Sequence, residues 1–257
     1  MKKSILTISL LLLSTINIFP QGTSGSSAKY EYRYLIDMPT TGVIGRGFSG
    51  ITMEAMPYGV FITKIELGVF DGVSFGLSYG GGNVIGTGKI NWYKLPGINF
   101  RVRIIEESIV LPAIAAGFES QGKGYFDKAL NRYEIKSPGF FVAASKNFDL
   151  LGYFSVHGAL NYSLERDDND KDLNLAFGFE KTLGEIFSIL GEYDIAFNDN
   201  TLTSIGKGNG YMNLGVRCAI GDGLTIGLNL RDMLKNKKID QNIADRGLFV
   251  EFIKGVF

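Results

Sequence analysis

The stretch Phe154-Ser-Val-His-Gly-Ala-Leu-Asn-Tyr-Ser-Leu-Glu165 places apolar side chains at nearly every even position and mostly polar ones between them. Asp172-Leu-Asn-Leu-Ala-Phe-Gly-Phe-Glu180 repeats this alternation a few residues later. A period of two is the pattern of a β-strand with one apolar and one polar face. Each stretch has about the nine to eleven residues of a tilted membrane-crossing strand, whereas strands of globular proteins average about five or six. The two segments therefore predict long strands that cross a membrane.

The same alternation recurs along the rest of the chain. Twelve segments carry it: 47–56, 58–70, 73–80, 97–106, 109–119, 135–147, 152–165, 171–182, 186–197, 209–220, 223–232 and 246–257. Short turns follow the even-numbered segments and longer polar loops follow most odd-numbered ones, as in outer-membrane barrels with short periplasmic turns and longer external loops. We predict an all-β fold, an antiparallel up-and-down transmembrane β-barrel of about twelve strands. A soluble β-sandwich is the alternative.

The composition agrees with this class and excludes several others. The 257 residues include 34 Gly, 19 Phe and 12 Tyr, as expected for a curved, aromatic-rich sheet. Lys and Arg (26) balance Asp and Glu (26), so no charge excess points to a nucleic-acid partner. The single Cys excludes an intramolecular disulfide and a multi-cysteine metal site, and the single His weighs against most zinc enzymes. No cofactor and no metal are therefore expected.

The N-terminus has the order of a secretory signal. A cationic start, Met1-Lys-Lys, precedes an apolar run over 5–18, and Phe19-Pro-Gln21 ends that run. The run is shorter than the roughly 20 residues that span a bilayer. An uncleaved N-terminal anchor is the alternative.

Three regions follow from this division of the chain. Residues 1–21 are predicted to be a cleaved signal peptide, 22–46 an N-terminal periplasmic segment, and 47–257 the barrel in the bacterial outer membrane. Its expected partners are outer-membrane lipid and the barrel-assembly machinery. Phe257 is the candidate assembly signal, because outer-membrane barrels commonly end on an aromatic residue.

Charged and polar side chains on the strands' polar faces are the candidate lumen-facing residues. They are Arg101, Arg103, His157, Glu180, Glu192, Asp194, Arg217 and Arg231. Mixed charge can line a water-filled pore, or it can form a salt-bridged plug that closes a narrow barrel. Twelve strands lie between the filled eight-stranded barrels and the open porins of sixteen or more strands, so both possibilities remain open.

Candidate chemistry is sparse, and we predict that the protein is not an enzyme. His157 could pair with a serine in a lipid-modifying enzyme, although same-face serines on its own strand are about 7 Å away and only an adjacent strand could supply one within reach. A lumen histidine in a polar network is the preferred interpretation. Asp168, Asp170 and Asp172 match the start of a calcium loop, but its Gly and terminal Glu are missing. A solvated hairpin tip is expected there.

Several motifs resemble the YjbH-like family of bacterial outer-membrane β-barrel proteins. They are Asp37-Met-Pro-Thr-Thr-Gly42, the stretch from Gly76 through Arg103, Arg132–Asn147 and Gly191–Asn200. The resemblance implies a non-enzymatic role in envelope or exopolysaccharide biogenesis or export, with polysaccharide-export components as partners and no known catalytic residues. A general small-solute porin and an outer-membrane lipid-modifying enzyme using His157 are the alternatives.

Overall fold

The computed structural model describes residues 22–238 and 244–256. Its strands are β1 (Phe48–Met56), β2 (Val60–Phe70), β3 (Val73–Gly82), β4 (Asn91–Trp92), β5 (Gly97–Ile105), β6 (Ala113–Glu119), β7 (Lys123–Asp127), β8 (Arg132–Ile135), β9 (Gly139–Asp149), β10 (Tyr153–Tyr162), β11 (Asn174–Leu183), β12 (Phe187–Asp194), β13 (Tyr211–Gly221), β14 (Leu224–Arg231) and β15 (Asp245–Gly255). Pro57–Gly59 and Phe197–Asp199 are short 3-10 turns. The predicted signal peptide and Phe257 lie outside the described residues. Within the described ranges, no helix has the length and apolarity to cross a membrane, a criterion that does not apply to strands.

Twelve of these strands form one closed antiparallel barrel. The order around it is β1-β2-β3-β5-β6-β9-β10-β11-β12-β13-β14-β15, so every strand pairs with the barrel strand before it in the chain. The ring closes where β15 pairs with β1, in a register that runs from Phe48 opposite Gly255 to Ala55 opposite Leu248. β4 pairs only with the end of β3, and β7 and β8 form a separate hairpin. The predicted twelve-stranded up-and-down barrel is confirmed.

The predicted strand boundaries agree with the barrel strands to within three residues, except at two starts. β6 begins at Ala113 rather than 109, and β9 begins at Gly139 rather than 135. Pro112 and Pro138 immediately precede the observed starts. Proline has no backbone N–H to donate to a ladder, so it is tolerated at the edge of a strand but not within a central one.

The two ends of the barrel differ in their connections. One end, called the turn end, carries the short links 71–72, 106–112, 150–152, 184–186 and 222–223. The opposite end, called the loop end, carries the Pro57–Gly59 turn and the longer links, including the β7–β8 hairpin. The predicted topology puts the turn end in the periplasm and the loop end outside the cell.

The outer face of the barrel is an apolar belt. On β11, Leu175, Phe177 and Phe179 point outward, whereas Asn174 and Ala176 point inward and are buried. The same alternation holds on the other long strands, where large apolar side chains are exposed at every second position. An outward-facing apolar band on a closed barrel is the surface that lipid tails contact.

One prediction tests this facing. Phe177 is 49% exposed on the outer face of β11, opposite Gly158 and Tyr193 on its neighbours. Phe177→Arg is expected to destabilise the folded barrel in lipid by about 2–4 kcal/mol, because a cation would face hydrocarbon near the middle of the membrane. Urea titration, followed by the faster gel mobility of unboiled protein, measures the loss. Phe177→Leu keeps an apolar side chain and is the control. Equal stability of the two variants would contradict a lipid-facing position.

Residues 22–46, which we call the plug, lie largely inside the barrel; residues 26–31 and 45–46 are partly or fully exposed. The sequence predicts this region as a periplasmic segment ahead of the barrel; in the structure it enters from the turn end, turns at Leu35–Met38 and returns to the start of β1. Its tip is apolar. Leu35, Ile36 and Met38 are almost fully buried and form a core with small and apolar wall residues: Phe141, Ala143, Ala159, Ala176 and Leu190.

Candidate functional site

The plug has a turn of its own. The Leu35 N–H donates to the Met38 carbonyl oxygen at 3.1 Å, and the Thr40 N–H donates to the Arg33 carbonyl oxygen at 3.0 Å. Gly42 allows the two arms to meet closely, because a Cβ at that position would lie 2.0 Å from the Tyr32 carbonyl oxygen. These local contacts fold the plug into a tight hairpin with its tip in the middle of the lumen.

One wall carboxylate holds the backbone of the tip. The N–H groups of Ile36, Asp37 and Met38 all donate to Glu192 Oε2, at 3.0, 2.9 and 2.9 Å. Asn213 Nδ2 donates to the other oxygen, Oε1, at 2.9 Å. Three successive N–H groups around one oxygen form an anion-binding concavity. The tip is therefore anchored to β12 through its backbone N–H groups. These contacts depend on the shape of the turn and not on the side chains of Ile36, Asp37 and Met38.

The Asp37 side chain joins a four-member charge cluster. Arg231 Nε lies 2.9 Å from Asp37 Oδ2, and Lys123 Nζ lies 3.1 Å from Asp37 Oδ1. The same two cations also contact Glu54, at 2.7 Å from Arg231 Nη2 and 2.5 Å from Lys123 Nζ. Two cations and two anions thus alternate, and they come from the plug, β1, β7 and β14. Because each buried charge has partners, removing one would leave the others uncompensated.

Arg33 provides a second ionic anchor. Its Nε lies 2.7 Å from Glu66 Oε2 on β2, and its Nη2 pairs with Glu251 on β15. These two strands flank β1, so one plug side chain bridges both neighbours of the first strand.

Wall arginines also bind plug backbone. Arg101 Nη1 donates to the carbonyl oxygens of Arg33, Thr40 and Gly42, at 2.7, 2.9 and 2.9 Å. A guanidinium in contact with three carbonyl oxygens supplies donors to buried backbone acceptors, including the Arg33 carbonyl that already accepts from Thr40. The wall therefore recognises the path of the plug chain as well as its charges.

Two more predicted lumen residues act in the same way. Arg217 Nη2 donates to the Leu35 carbonyl oxygen at 3.2 Å, and Arg103 Nη2 donates to that of Thr41 at 2.9 Å. Arg103 also pairs with the exposed Glu31 of the plug. The guanidinium of Arg217 lies 4.1 Å from the ring centroid of Phe249, a cation–π contact.

Inward-facing glycines make room for the plug. A Cβ at Gly68 would lie 1.9 Å from the Gly45 carbonyl oxygen, and one at Gly178 would lie 2.4 Å from Leu35 Cδ1. At Gly68 the obstructing atoms are plug backbone, whereas at Gly178 they are the Leu35 side chain of the plug and the Gly191 carbonyl oxygen of the wall. The wall is thus shaped to this segment, in addition to carrying complementary charges.

The β7–β8 hairpin closes the loop end. Arg132 on β8 pairs with Asp168 at 2.7 Å and with Asp199 at 2.5 Å, and Lys136 pairs with Asp168 at 2.8 Å. Burial alone would raise the pKa of the Asp168 carboxyl, but the hydrogen bond and charge of Lys136 lower that pKa below its usual value. The sequence predicts a solvated hairpin tip at 165–172; in the structure Asp168 and Asp170 are buried, because they bind the hairpin and the neighbouring loops.

All eight predicted lumen-facing residues occupy inward positions: Arg101, Arg103, His157, Glu180, Glu192, Asp194, Arg217 and Arg231. Five of them bind the plug, as described above. Of the others, Asp194 accepts a hydrogen bond from Asn174 Nδ2 at 2.7 Å, and Glu180 accepts one from Ser188 Oγ at 2.7 Å.

His157 meets a serine across the strand pair. His157 and Ser145 are directly opposite in the β9–β10 register, and Nδ1 lies 2.8 Å from the serine Oγ. Within the described residues, Nε2 has no hydrogen-bond partner. A nucleophile–base pair is normally oriented by a third group on the second ring nitrogen. The pair faces the lumen, not the lipid.

Sequence reasoning missed the plug's own charges and their partner on the hairpin. Arg33 and Asp37 stand among apolar residues in a segment without strand alternation, and Lys123 lies in a predicted external loop. Isolated charges between Leu35, Ile36 and other apolar residues are a signal for buried ion pairs, since a buried charge requires a partner.

Comparisons with known proteins give a fold relationship only. No protein-family model matches the chain, and no curated protein matches it. Among solved structures, a KdgM porin aligns with a TM-score of 0.51 and 11% identity, over 80% of this chain and 98% of that chain. A structure described as "KdgM porin in complex with disordered oligogalacturonate" aligns with a TM-score of 0.50 and 10% identity, over the same shares of the two chains. This chain therefore has a β-barrel fold similar to that of KdgM porin.

Proposed function

We propose that this protein is a small-solute porin of the bacterial outer membrane whose lumen is closed at rest by the plug. The observation that carries this proposal is the plug itself. It fills a barrel of porin-like fold, yet it belongs to none of the barrel strands and continues into them at β1. A segment of this kind can leave without disturbing the strand ladder.

The contacts between plug and wall support a lumen that accepts water. Ion pairs to Arg33 and Asp37 and hydrogen bonds to Glu192 and Arg101 hold the plug. If the plug moves out, these wall groups exchange plug partners for water, which solvates charge well. Apolar contacts lie mainly at the tip, with further ones at Ile44 and between the rings of Tyr30 and Phe48. The wall left behind would be that of a hydrophilic channel.

The charges of the wall favour small polar solutes without strong charge selection. Cations and anions are interspersed on the inward face: Lys64, Arg101, Arg103, Arg217 and Arg231 alternate with Glu54, Glu66, Glu119, Glu180, Glu192, Asp194 and Glu251. One structural neighbour is described in complex with oligogalacturonate, an anionic sugar chain. Selection of a polyanion would need an excess of cations on the wall, and the charges named above contain no such excess. We therefore expect neutral or zwitterionic solutes to pass.

Deletion of residues 26–44 tests the proposal. The wild-type barrel is expected to be mostly silent in planar bilayers, and the deletion variant to raise the mean conductance about tenfold or more, since the twelve strands then enclose a wetted lumen. A second variant that also shortens the β7–β8 hairpin between 124 and 134 removes the obstruction at the loop end. Heat-modifiable gel mobility shows whether each variant is folded. Two folded variants without conductance would refute a porin.

The other functions have less support. The role in exopolysaccharide biogenesis rests on the resemblance to the YjbH-like family and stays a prediction. A lipid-modifying enzyme would use the His157–Ser145 pair, which lacks an orienting carboxylate hydrogen bond among the described residues and is separated from lipid by the barrel wall.

A further inference from the structure

A cavity of about 380 Å³ lies between the plug and the wall at the turn end. Tyr32 and Thr41 border it from the plug, and Ser155, His157 and Glu180 border it from the wall. Its volume is at the lower end of the roughly 300–1,000 Å³ of small-molecule sites. Since both components contribute, the cavity exists only while the plug is in place.

The ionisable groups around this turn-end cavity are mainly acidic. Besides His157 and three tyrosines, they are four carboxylates, Glu31, Glu106, Glu107 and Glu180, and one guanidinium, Arg103. Arg103 already pairs with Glu31 and, at 3.1 Å, with Glu106. Glu107 Oε1 lies 3.3 Å from Lys146 Nζ, so it too has a cation.

Among the described residues, Glu180 is the one of these four carboxylates that has no ion-pair partner. In the part of the chain that the structure describes it forms no ion pair, and its hydrogen bond comes from the neutral Ser188 hydroxyl, at 2.7 Å. Arg217 is near enough to act on Glu180 through its charge but makes no ion pair with it. An inward carboxylate without a contacting cation, beside a cavity, attracts a positively charged ligand, because a partly buried charge is stabilised by a partner more than an exposed one is.

Two unpartnered polar atoms give an independent indication of a ligand. Tyr32 is only 6% exposed, and its Oη makes no well-formed hydrogen bond among the described residues, because the nearby Ser188 hydroxyl already donates to Glu180 and accepts from the Gly25 N–H. His157 Nε2 is buried and equally unpartnered. Buried polar atoms are nearly always hydrogen-bonded, so such atoms beside a cavity are positions where a ligand hydroxyl can replace water. The aromatic rings of Tyr30, Tyr32 and Tyr153 also border the cavity and can contact a cation.

We propose that the turn-end cavity binds a small organic ammonium compound that carries a hydroxyl group. Its cation lies beside Glu180 and against tyrosine rings. Its hydroxyl forms hydrogen bonds with His157 Nε2 and Tyr32 Oη. Binding requires the plug and the wall together, so the ligand stabilises the closed barrel by mass action. The site does not depend on whether the open barrel conducts.

Calorimetric titration of the full-length protein in detergent tests this site, with choline as the probe. Its uncharged carbon analogue, dimethylbutanol, has nearly the same shape. Choline is expected to bind at least about tenfold more tightly than the analogue, and Glu180→Gln is expected to reduce choline affinity about tenfold or more. Glu185→Gln, a neighbouring exposed carboxylate, is the matched control and should leave the affinity unchanged.

Equal binding of choline and dimethylbutanol to the wild-type protein would overturn the proposal, and so would unchanged choline affinity in folded Glu180→Gln. If that variant does not fold, the comparison of the two probes on wild-type protein decides. The variant lacking residues 26–44 should lose choline binding, and retention of it would contradict a site shared between plug and wall. A barrel that never conducts refutes the porin but does not alter any of these binding results.

Discussion

Asp37→Ala is expected to shift the plug from the closed to the released arrangement by two orders of magnitude or more. The substitution leaves Arg231 and Lys123 with one carboxylate, Glu54, where the native cluster has two. Breaking a buried ion pair from one side typically costs about 3–5 kcal/mol. At about 1.4 kcal/mol for each factor of ten, this is a change of roughly 10² to 10³ or more in the equilibrium.

Release can be measured without conductance. Arg33 is 3% exposed in the closed barrel, so tryptic cleavage after Arg33, detected by mass spectrometry, reports the released plug. Glu31→Ala is the matched control, because the Glu31 side chain is 57% exposed and its pair with Arg103 is a surface one, worth about 0–1 kcal/mol. Equal cleavage rates in Asp37→Ala and Glu31→Ala would show that the buried cluster does not hold the plug.

Gly68→Leu is expected to release the plug by steric conflict. The three atoms nearest to a Cβ at this position all belong to plug backbone: the Gly45 oxygen and carbon and the Ile44 oxygen, at 1.9, 2.4 and 2.5 Å. Backbone cannot rotate away as a side chain can. Overpacking of this kind costs about 1–3 kcal/mol, occasionally more, so the released fraction should rise about 5- to 150-fold.

The control for this variant is another strand glycine. At Gly158 on β10 a Cβ would meet only the Phe177 ring, at 3.7 Å, an ordinary contact. Gly158→Leu should therefore leave tryptic cleavage after Arg33 at the wild-type rate. If Gly68→Leu is also cleaved at the wild-type rate, the plug backbone does not pack against β2 at Gly68.

The barrel could be predicted from the sequence because its signal is local. Phe177 and Phe179 alternate with inward residues along the chain itself, and turns such as Asp71-Gly72 mark where strands end. No contact needs to be known to count strands by this pattern. The inward positions of Arg101, Glu192 and Arg231 follow from the same alternation, since adjacent residues of a strand face opposite sides.

The plug could not be predicted because its contacts are remote. Asp37 and Arg231 form an ion pair although 194 positions separate them in the sequence. The backbone of Gly45 packs against Gly68, where only a residue without a side chain leaves room for it. Neither contact produces a periodic pattern of apolar and polar residues in the sequence of 22–46. The turn-end cavity could not be predicted for the same reason, because it is lined by plug residues such as Tyr32 and by wall residues such as Glu180 that are distant in the sequence. Only the distribution of charge within an apolar segment gave any indication that it is buried.

Arg33 also affects how the ring is completed during assembly. The first and last barrel strands become neighbours only at closure, and Arg33 and Glu251 are 218 positions apart. Contacts of such separation form late, since a long loop must be closed before they contribute. A slip of one residue between β1 and β15 would turn Glu251 towards lipid and away from Arg33. The segment that fills the lumen thus also selects the register in which the last strand joins the first.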